Sequence, residues 1–421
     1  MARTQLANAS IILTDASRNI PPDWDWKTLA SIAKTGSGGT PSRRNPEYFN
    51  GDIPWIKSGE LNNGLILDSE EKITRDAIKN SSAKLLPTGT LLIAMYGATV
   101  GKLGILDIEG ATNQAVCSIF PDSSIDKKFL FYFLKSIRNS LLERSFGGAQ
   151  PNISQAVIRS IKVPVPPTTE IQRRIVLRIE ALLHEVQESR KICDYIQQDI
   201  NRLLEVAINE VLTKLESIIE ITPFQDIATA FNGRASGSGI SDVRVFKTKH
   251  VYPHKLRLDK SSYAKPEKAP ELPKERFLRP GDVLMANMAE GTLGRVTYVH
   301  ECEENWTVDT QIMILRPKDE NEVLGKWLYY YFWSERGQRE ILSRRSGIAF
   351  ADKRGQTHIY PKDMHLIPFP KMPISAQRQA VAYLDTVLNE SEKMTELVQQ
   401  DIKTLDLLEQ SILDRAFRGE L

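Results

Sequence analysis

Residues 168–215 read TTEIQRRIVLRIEALLHEVQESRKICDYIQQDINRLLEVAINEVLTKL and contain neither proline nor glycine. Apolar side chains recur there at alternating spacings of three and four residues, the period of a long helix that packs against another helix. Such a helix would be about 70 Å long, and its stripe is too narrow for the core of a globular domain, so it needs a partner. The residues that we expect in the interface are Ile175, Ile179, Leu182, Val186, Cys193, Ile196, Ile200, Leu203 and Ala207.

The partner that the sequence offers is a second stretch of the same kind near the end of the chain. Residues 375–418 again lack proline and glycine, and Gly419 stands where a helix would end. The two stretches match in length, period and sign of net charge, which favours one intramolecular coiled coil over two separate surface helices. The predicted seam of the second helix is Val381, Leu384, Leu388, Val398, Ile402, Leu405, Ile412 and Ala416.

The composition is that of an ordinary globular protein. Hydrophobic residues make up 41% of the chain, and no apolar run reaches the roughly 18 residues of a membrane span, so no membrane partner is expected. Three widely separated cysteines without metal-ligand spacing fit a reducing cytoplasm, where we expect the protein to be located.

Charge is distributed unevenly, although the formal net charge is only +2. Lys and Arg outnumber Asp and Glu by 17 to 14 in residues 22–166 and by 24 to 20 in residues 220–372. The acidic residues prevail by 9 to 7 in residues 167–219 and by 9 to 5 in residues 373–421. The mildly basic globular parts therefore allow an anionic partner but do not by themselves indicate nucleic acid.

The second half of the chain repeats the plan of the first. Six pairs of segments match in the same order, and the offset between them drifts from about 192 to 205, as loop insertions would produce. Examples are Thr292–Arg295 with Thr99–Lys102, Trp327–Phe332 with Phe129–Leu134, and Gln377 with Gln172. We therefore predict a lead-in at 1–21, globular domains at 22–166 and 220–372, a central helix at 167–219 and a C-terminal helix at 373–421. If the helices pair along the simplest, antiparallel path, the globules lie at opposite ends of a rod with an approximate two-fold axis.

Several runs resemble the specificity subunits of type I restriction–modification enzymes. They are Gly38-Gly-Thr-Pro-Ser42, Gly51–Leu61, Tyr96–Lys102, Asn113-Gln-Ala115 and the ending Ala416–Leu421. The second globule departs from this pattern, with Asn232-Gly-Arg234 and Phe246–Lys249 in place of the first two runs. Such divergence is what reading two different DNA half-sites would require.

The resemblance implies an α+β fold with two similar target-recognition domains, separated by two long antiparallel helices that form an intramolecular coiled coil with pseudo-two-fold symmetry. It also implies a non-catalytic subunit that reads a bipartite site in double-stranded DNA and docks two methyltransferase subunits. The methyltransferase would bind S-adenosylmethionine, and restriction subunits, where present, would use ATP and Mg²⁺. No cofactor is expected in this chain.

The run Gly97–Lys102 is the one motif that looks like a nucleotide site. It has three residues between its glycines where a P-loop needs four, and Leu103 replaces the hydroxyl residue that would meet Mg²⁺. A turn that presents Lys102 to a phosphate and a plain structural turn are the two readings that remain. The chain also lacks an Asn/Asp-Pro-Pro-aromatic motif and histidines at metal-ligand spacing, so we expect no catalytic or metal site.

The candidate DNA contacts are polar and basic residues in glycine-containing loops, from which arginine and lysine can reach phosphates or guanine and amides can pair with adenine. Ordinary surface solvation is the alternative for each of the polar and basic candidates. The aromatics Trp55, Tyr96 and those from Trp327 to Trp333 are expected in the core rather than as base-stacking platforms, although Tyr96 is also kept as a candidate contact because it stands beside two glycines. The candidates in the first globule are Thr40, Ser42, Arg43, Arg44, Lys57, Ser58, Tyr96, Lys102, Gln150 and Asn152. Those in the second are Arg234, Lys247, Lys249, His250, Arg344, Arg345, Lys353 and Arg354. The competing hypotheses are a coiled-coil scaffold whose globules bind protein or another polymer, and an enzyme with an unrecognised site.

Overall fold

A computed structural model describes residues 19–145, 152–235, 237–252, 255–258, 262–288, 291–345 and 357–421. The described chain forms two compact units. Unit 1 contains the residues up to Cys193 together with Gln400–Leu421, and unit 2 contains Asp194–Gln399. Each unit therefore combines one globule with one half of each long helix. The predicted domain bounds, which separate helices from globules, stay a prediction.

Unit 1 is built on a five-stranded sheet with a smaller sheet beside it. The order of the large sheet is β2-β9-β6-β7-β4, and that of the small sheet is β5-β3-β8, in which β3 and β8 are parallel. A third, two-stranded sheet pairs β1 with β10. The strands are β1 Asp25–Thr28, β2 Ala33–Ser37, β3 Ile53–Ile56, β4 Gly64–Ile66, β5 Lys72–Ile73, β6 Leu91–Ala94, β7 Leu103–Leu106, β8 Ala111–Thr112, β9 Val116–Pro121 and β10 Lys162–Val165. The helices are α1 Leu29–Ile32, α2 Arg75–Lys79, α3 Lys127–Ser136, α4 Arg138–Ser145, α5 Gln155–Ser160 and the long α6 Thr169–Lys214.

Unit 2 repeats this architecture. Its four-stranded sheet has the order β12-β20-β17-β18, its three-stranded sheet has the order β16-β13-β19 with β13 and β19 parallel, and β11 pairs with β21. A hairpin of β14 and β15 has no counterpart among the strands of unit 1. The strands are β11 Glu220–Pro223, β12 Ala228–Asn232, β13 Gly239–Phe246, β14 Val251–Tyr252, β15 Lys255–Leu256, β16 Ser262–Tyr263, β17 Val283–Ala286, β18 Val296–Tyr298, β19 Trp306–Val308, β20 Ile312–Pro317 and β21 Pro368–Lys371. The helices are α7 Phe224–Ile227, α8 Gly325–Trp333, α9 Glu335–Ser343, α10 Pro361–Met364 and the long α11 Ile374–Ala416.

The matched sheets confirm the internal repeat and the α+β class. Each central strand is a short apolar run, and β6 and β17 are buried at all four positions, as strands covered on both faces require. Trp55 and the side chains from Trp327 to Phe332 are buried in the cores, as predicted.

The two long helices run antiparallel within each unit. In unit 1 a guanidinium nitrogen of Arg190 lies 2.6 Å from a carboxylate oxygen of Asp406. In unit 2 Gln197 donates to Thr395 at 3.4 Å and Tyr383 donates to Glu210 at 3.1 Å, so rising numbers on α6 meet falling numbers on α11. The helix pair is therefore the intramolecular coiled coil that the periodicity indicated.

The seam differs from the predicted one in the second half of α6. Ile196 and Leu203 are 40% and 38% exposed, whereas Leu204 and Ile208 are buried. The reason is Gln197, a polar residue on the buried face whose amide bonds to Thr395. Because the prediction chose the neighbouring apolar residue Ile196 instead of Gln197, it departed from the buried face of α6 at this point. The other predicted seam residues are buried or half-buried: Ile175, Ile179, Leu182, Val186, Cys193, Ile200, Ala207, Val381, Leu384, Leu388, Val398, Ile402, Leu405, Ile412 and Ala416.

A buried glutamine fastens each globule to the start of its long helix. Gln172 accepts a hydrogen bond from the backbone N–H of Asp126 at 2.6 Å and donates to the carbonyl of Ser124 at 3.1 Å. Gln377 accepts from the backbone N–H of Leu324 at 2.9 Å and donates to the carbonyl of Glu322 at 2.7 Å. Gln172 and Gln377, which match in the sequence repeat, thus make equivalent hydrogen bonds in the two units.

Gln377→Ala is expected to lower the free energy of unfolding by about 2–4 kcal/mol, because the substitution removes a buried amide and leaves the backbone groups of Leu324 and Glu322 without this partner. Urea denaturation of the purified chain measures this. Gln187→Ala, on the exposed face of α6, is the matched control and should change stability by less than about 0.5 kcal/mol. Equal effects of the two substitutions would contradict the fastening role.

Candidate nucleic-acid interface

In unit 1 the predicted contact loops meet at one edge of the large sheet. Strands β2 and β6 end there while β7 and β9 begin there, because these neighbours are antiparallel. The small sheet joins the same edge, since the N–H of Asn113 donates to the carbonyl of Ile56 at 3.0 Å and that of Gly39 to the carbonyl of Thr112 at 2.8 Å. We call this first edge, defined by residues 38–45, 57–60, 96–102, 113–115 and 152, edge 1.

The two glycines of edge 1 serve internal packing. A β-carbon at Gly38 would lie 2.2 Å from the carbonyl oxygen of Asn113, and one at Gly39 would lie 2.2 Å from the backbone of Ser82. The indole N–H of Trp55 donates to the carbonyl of Gly39 at 3.0 Å. The glycine run is therefore needed for the close packing of its own chain.

Two of the predicted cationic contacts are already paired inside the unit. The guanidinium of Arg43 lies 2.7 Å from Glu71 and 4.3 Å from the centre of the Phe49 ring, and the amine of Lys57 lies 3.1 Å from both Glu70 and Glu71. Hydrogen bonds to Glu70 and Glu71 raise the pKa of Lys57. Burial alone would raise the pKa of Glu71, but the hydrogen bonds from Lys57 and Arg43 outweigh burial and hold this pKa below its usual value. Both cations are thus largely neutralised, and they are poorer phosphate ligands than the sequence suggested.

The remaining candidates of edge 1 are open to solvent to different degrees. Tyr96 is exposed and forms an isolated β-bridge with Asn152, which is also exposed. Lys102 follows Gly101, whose φ of 74° defines a turn, and is half-buried. Ser42 and Arg44 are exposed, Ser58 is half-buried, and Thr40 bonds to the side chain of Gln114. Gln150 lies outside the described residues.

Unit 2 builds an equivalent edge from different side chains. Strands β12 and β17 end there, β18 and β20 begin there, and the N–H of Asp309 donates to the carbonyl of Phe246 at 2.9 Å, as Asn113 does to Ile56. Thr248 donates to Gln311 at 3.3 Å, much as Thr40 bonds to Gln114. We call residues 233–235, 247–250, 287–288, 292–295, 309–311 and 358 edge 2.

Of the candidates in unit 2, His250 was wrongly assigned. It is buried, and its Nδ1 accepts the N–H of Lys247 at 2.8 Å, so it caps a turn instead of facing a ligand. Arg234, Lys249 and Arg345 are exposed, whereas Lys247 and Arg344 are half-buried. Lys353 and Arg354 lie outside the described residues.

Sequence reasoning missed several polar residues at these edges. Gln114 and Gln311 were not among the candidates, yet both stand among the loops. Arg257 and Arg295, which flank the ring of Tyr252, were not singled out at all. The missed signal was the density of basic residues just after β13.

The described residues give no sign of a metal centre or a membrane segment. No group of three or more His, Cys, Asp or Glu side chains in the described ranges could hold a metal ion. Within the same ranges, no helix combines the length and the apolar character that a bilayer crossing demands.

Comparison with known proteins agrees with this architecture. Residues 21–194 match the family model described as the type I restriction modification DNA specificity domain. The specificity subunit of the type I restriction enzyme EcoR124I/EcoR124II from Escherichia coli is 30% identical over 172 residues, which cover 39% of this chain and 43% of that protein. The EcoKI specificity subunit of Escherichia coli K12 is 22% identical over 96% of this chain and 90% of its own length.

One solved structure reproduces the fold over nearly the whole chain. It comes from a study of complex assembly and conformational transition in the type I R-M system, with a TM-score of 0.72 at 20% identity, covering 96% of this chain and all of the other. The fold is therefore shared with that structure, and residues 21–194 are similar to the type I DNA specificity domain. The match to the EcoR124I/EcoR124II subunit spans less than half of that relative. The similarity to the EcoKI subunit extends over nearly the full length, at 22% identity.

Proposed function

We propose that this chain is the DNA sequence-specificity subunit of a type I restriction–modification system and reads one half of a bipartite duplex site with each edge. The observation that carries the proposal is that one loop edge is built twice, on matching sheets, with different side chains. Both edges place a lysine after the parallel strand, Lys57 and Lys247. The loop that follows the first strand of the large sheet differs, with Ser42 and Arg44 in unit 1 and Arg234 in unit 2. Matching sheets that carry different loop side chains suit the recognition of two half-sites of different sequence.

The long helices are the proposed docking surface for two methyltransferase subunits. Large apolar side chains stand exposed on them, and such surface marks interaction sites more often than solvated faces. These side chains are Leu177, Ile192, Leu407 and Leu408 in unit 1, and Tyr195, Val206, Met394 and Leu397 in unit 2. In this proposal S-adenosylmethionine binds the methyltransferase, ATP and Mg²⁺ bind a restriction subunit where one exists, and the chain itself holds no cofactor and performs no catalysis. Because its ligand is cellular DNA, we place it in the cytoplasm.

Strand β9 runs between edge 1, where the proposed function places DNA, and the junction of the globule with helix α6. Strand β9 begins at edge 1 with Val116 and ends at Pro121, just before Ser124 and Asp126, which bond to Gln172. A strand of six residues spans about 20 Å. Edge 1 therefore lies at the end of the sheet away from the helix junction, where a duplex could approach it.

Removing Arg44 and Lys102 together by alanine substitution is expected to weaken binding of the assembled methyltransferase complex to its site about tenfold or more, as loss of two DNA contacts would. Electrophoretic mobility shift or fluorescence anisotropy with a duplex carrying the site measures this. The site itself comes from methylation-sensitive sequencing of host DNA, which should show a bipartite motif with methylated adenine.

The matched control is the double variant Lys27→Ala and Lys34→Ala, which removes two positive charges near the opposite end of strands β1 and β2. It should bind the duplex as the unmodified complex does. Unchanged binding of the edge variant would overturn the placement of the site. A complex that binds no duplex and leaves no adenine motif would instead favour a scaffold for another partner.

A further inference from the structure

The segments that follow the parallel strand of the small sheet have opposite charge in the two units. Residues 57–72 of unit 1 contain two basic and four acidic residues. Residues 247–262 of unit 2, which likewise end at the next strand of the small sheet, contain five basic residues and one acidic residue. The segments begin alike, since each opens with a lysine and one turn of helix, Ser58–Glu60 and Thr248–His250. The difference therefore lies in the side chains and not in the fold.

In unit 1 the lysines of this segment are matched by carboxylates. Lys57 bonds to Glu70 and Glu71, and Lys72 lies 3.1 Å from Asp68. Glu71 also takes the guanidinium of the neighbouring Arg43. A duplex that approaches this segment would meet more negative than positive charge, which disfavours close contact with phosphates.

In unit 2 the cations gather around one aromatic ring. The guanidinium carbon of Arg257 lies 4.0 Å from the centre of the Tyr252 ring, and that of Arg295 lies 5.5 Å from it. Arg295 is held in place by hydrogen bonds to the carbonyls of Val251 at 3.3 Å and Gly291 at 3.1 Å. Within the described part of the chain, Lys249, Arg257 and Arg295 form no ion pair with a carboxylate.

This cluster belongs to edge 2. The N–H of Arg257 donates to the carbonyl of His250 at 2.9 Å, which brings the end of the β14–β15 hairpin back to the turn at the edge. Arg295 precedes β18, at the position that Lys102 occupies before β7 in unit 1. Like charges held close together without a counter-charge create a positive potential that an anion relieves. The phosphate backbone of a duplex can supply that negative charge.

We propose that Lys249, Arg257 and Arg295 grip the phosphate backbone of the duplex, so that unit 2 supplies most of the electrostatic binding energy while unit 1 reads its half-site with few phosphate contacts. This inference rests on the proposed function and assigns unequal tasks to the two units. Phosphate contacts release condensed counterions, so they appear as salt dependence of the binding constant, about 0.9 in the log–log slope for each contact.

The test uses the assembled methyltransferase complex, a duplex carrying its site, and anisotropy titrations between 50 and 200 mM salt. The variant is Lys249→Gln with Arg257→Gln, because both side chains are exposed and can change without disturbing the hydrogen bonds of Arg295. Loss of two contacts should lower the magnitude of the log–log slope by about 1.8. Between 50 and 200 mM salt, the fold-decrease in affinity of the variant should therefore be about twelve times smaller than that of the unmodified complex. The control is Lys72→Gln with Lys79→Gln in unit 1, which removes the same charge and should leave the slope unchanged.

The outcomes separate the inference from the function on which it rests. Normal site-specific binding with an unaltered slope in the Lys249 and Arg257 variant overturns the unequal division and leaves DNA reading intact. An equal decrease in slope for the unit 1 control overturns it as well, since both units would then hold phosphates. If the unmodified complex shows no specific duplex binding, the proposed function falls and this inference with it. Thermal melting of each variant confirms that the fold is unchanged.

Discussion

Replacing Ile200 and Leu204 together with aspartate is expected to abolish pairing of the long helices in unit 2 and to prevent assembly with methyltransferase subunits. Both side chains are buried on the face of α6 that packs against α11. A carboxylate buried in an apolar contact without a partner costs several kcal/mol, and two such groups exceed the stability that an ordinary domain has available. Circular dichroism melting of the chain and size-exclusion chromatography of the mixture with methyltransferase are the measurements.

The matched control for this experiment is Ile196→Asp with Leu203→Asp, four residues before Ile200 and one residue before Leu204. These side chains are substantially exposed, so the melting temperature of this variant should stay close to that of the unmodified chain. An equal decrease in melting temperature in both double variants would contradict the observed helix seam. An unchanged melting temperature in the Ile200 and Leu204 variant would contradict it as well. The comparison therefore tests the register of the helix pair and not only its existence.

Arg316→Met is expected to destabilise unit 2 by about 3–5 kcal/mol, the cost of breaking a buried ion pair from one side. Arg316 meets the carboxylate of Asp282 with two nitrogens, each 2.7 Å from an oxygen, and Asp282 is only 1% exposed. The same guanidinium donates to the carbonyls of Glu275 and Phe277. The substitution leaves a buried carboxylate and two carbonyls without this donor, which chemical denaturation monitored by tryptophan fluorescence should detect.

A second substitution distinguishes the charge from the packing. Arg316→Met combined with Asp282→Asn removes the uncompensated charge and should recover part of the lost stability. No recovery in the double variant would mean that the loss comes from the carbonyl contacts and the packing of the guanidinium on Phe231, 5.2 Å away. Arg336→Met, an exposed arginine on α9, should have little effect.

The long helices and the duplicated plan could be predicted from the sequence because each depends on local pattern. A stretch without proline or glycine and with a steady apolar period leaves few structures other than a long helix, and α6 spans Thr169–Lys214 against the expected 168–215. Repeated segments such as Gln172 and Gln377 then fixed the order of the units. The side-chain bonds of both glutamines to their globules show that the repeat reflects a shared junction.

The predictions that were wrong involved partners distant in sequence. Gln197 lies on the buried face because Thr395, far along the chain, receives its amide. His250 looked like a ligand-facing imidazole, but its capping bond to Lys247 requires a turn that composition does not reveal. The sequence likewise did not reveal that Glu71, just before β5, pairs with both Arg43 and Lys57. Tertiary pairing of this kind is invisible to residue-type reasoning, and contact of the loop candidates with DNA stays a prediction.

The position of Gln172 at the far end of β9 from the edge 1 loops has an evolutionary consequence. Mutations that alter the loops do not touch the amide, the strand ends that it holds or the helix beneath it. Under the proposed function, a lineage can therefore change the target sequence through loop substitutions alone, while the junction between globule and helix keeps its hydrogen bonds.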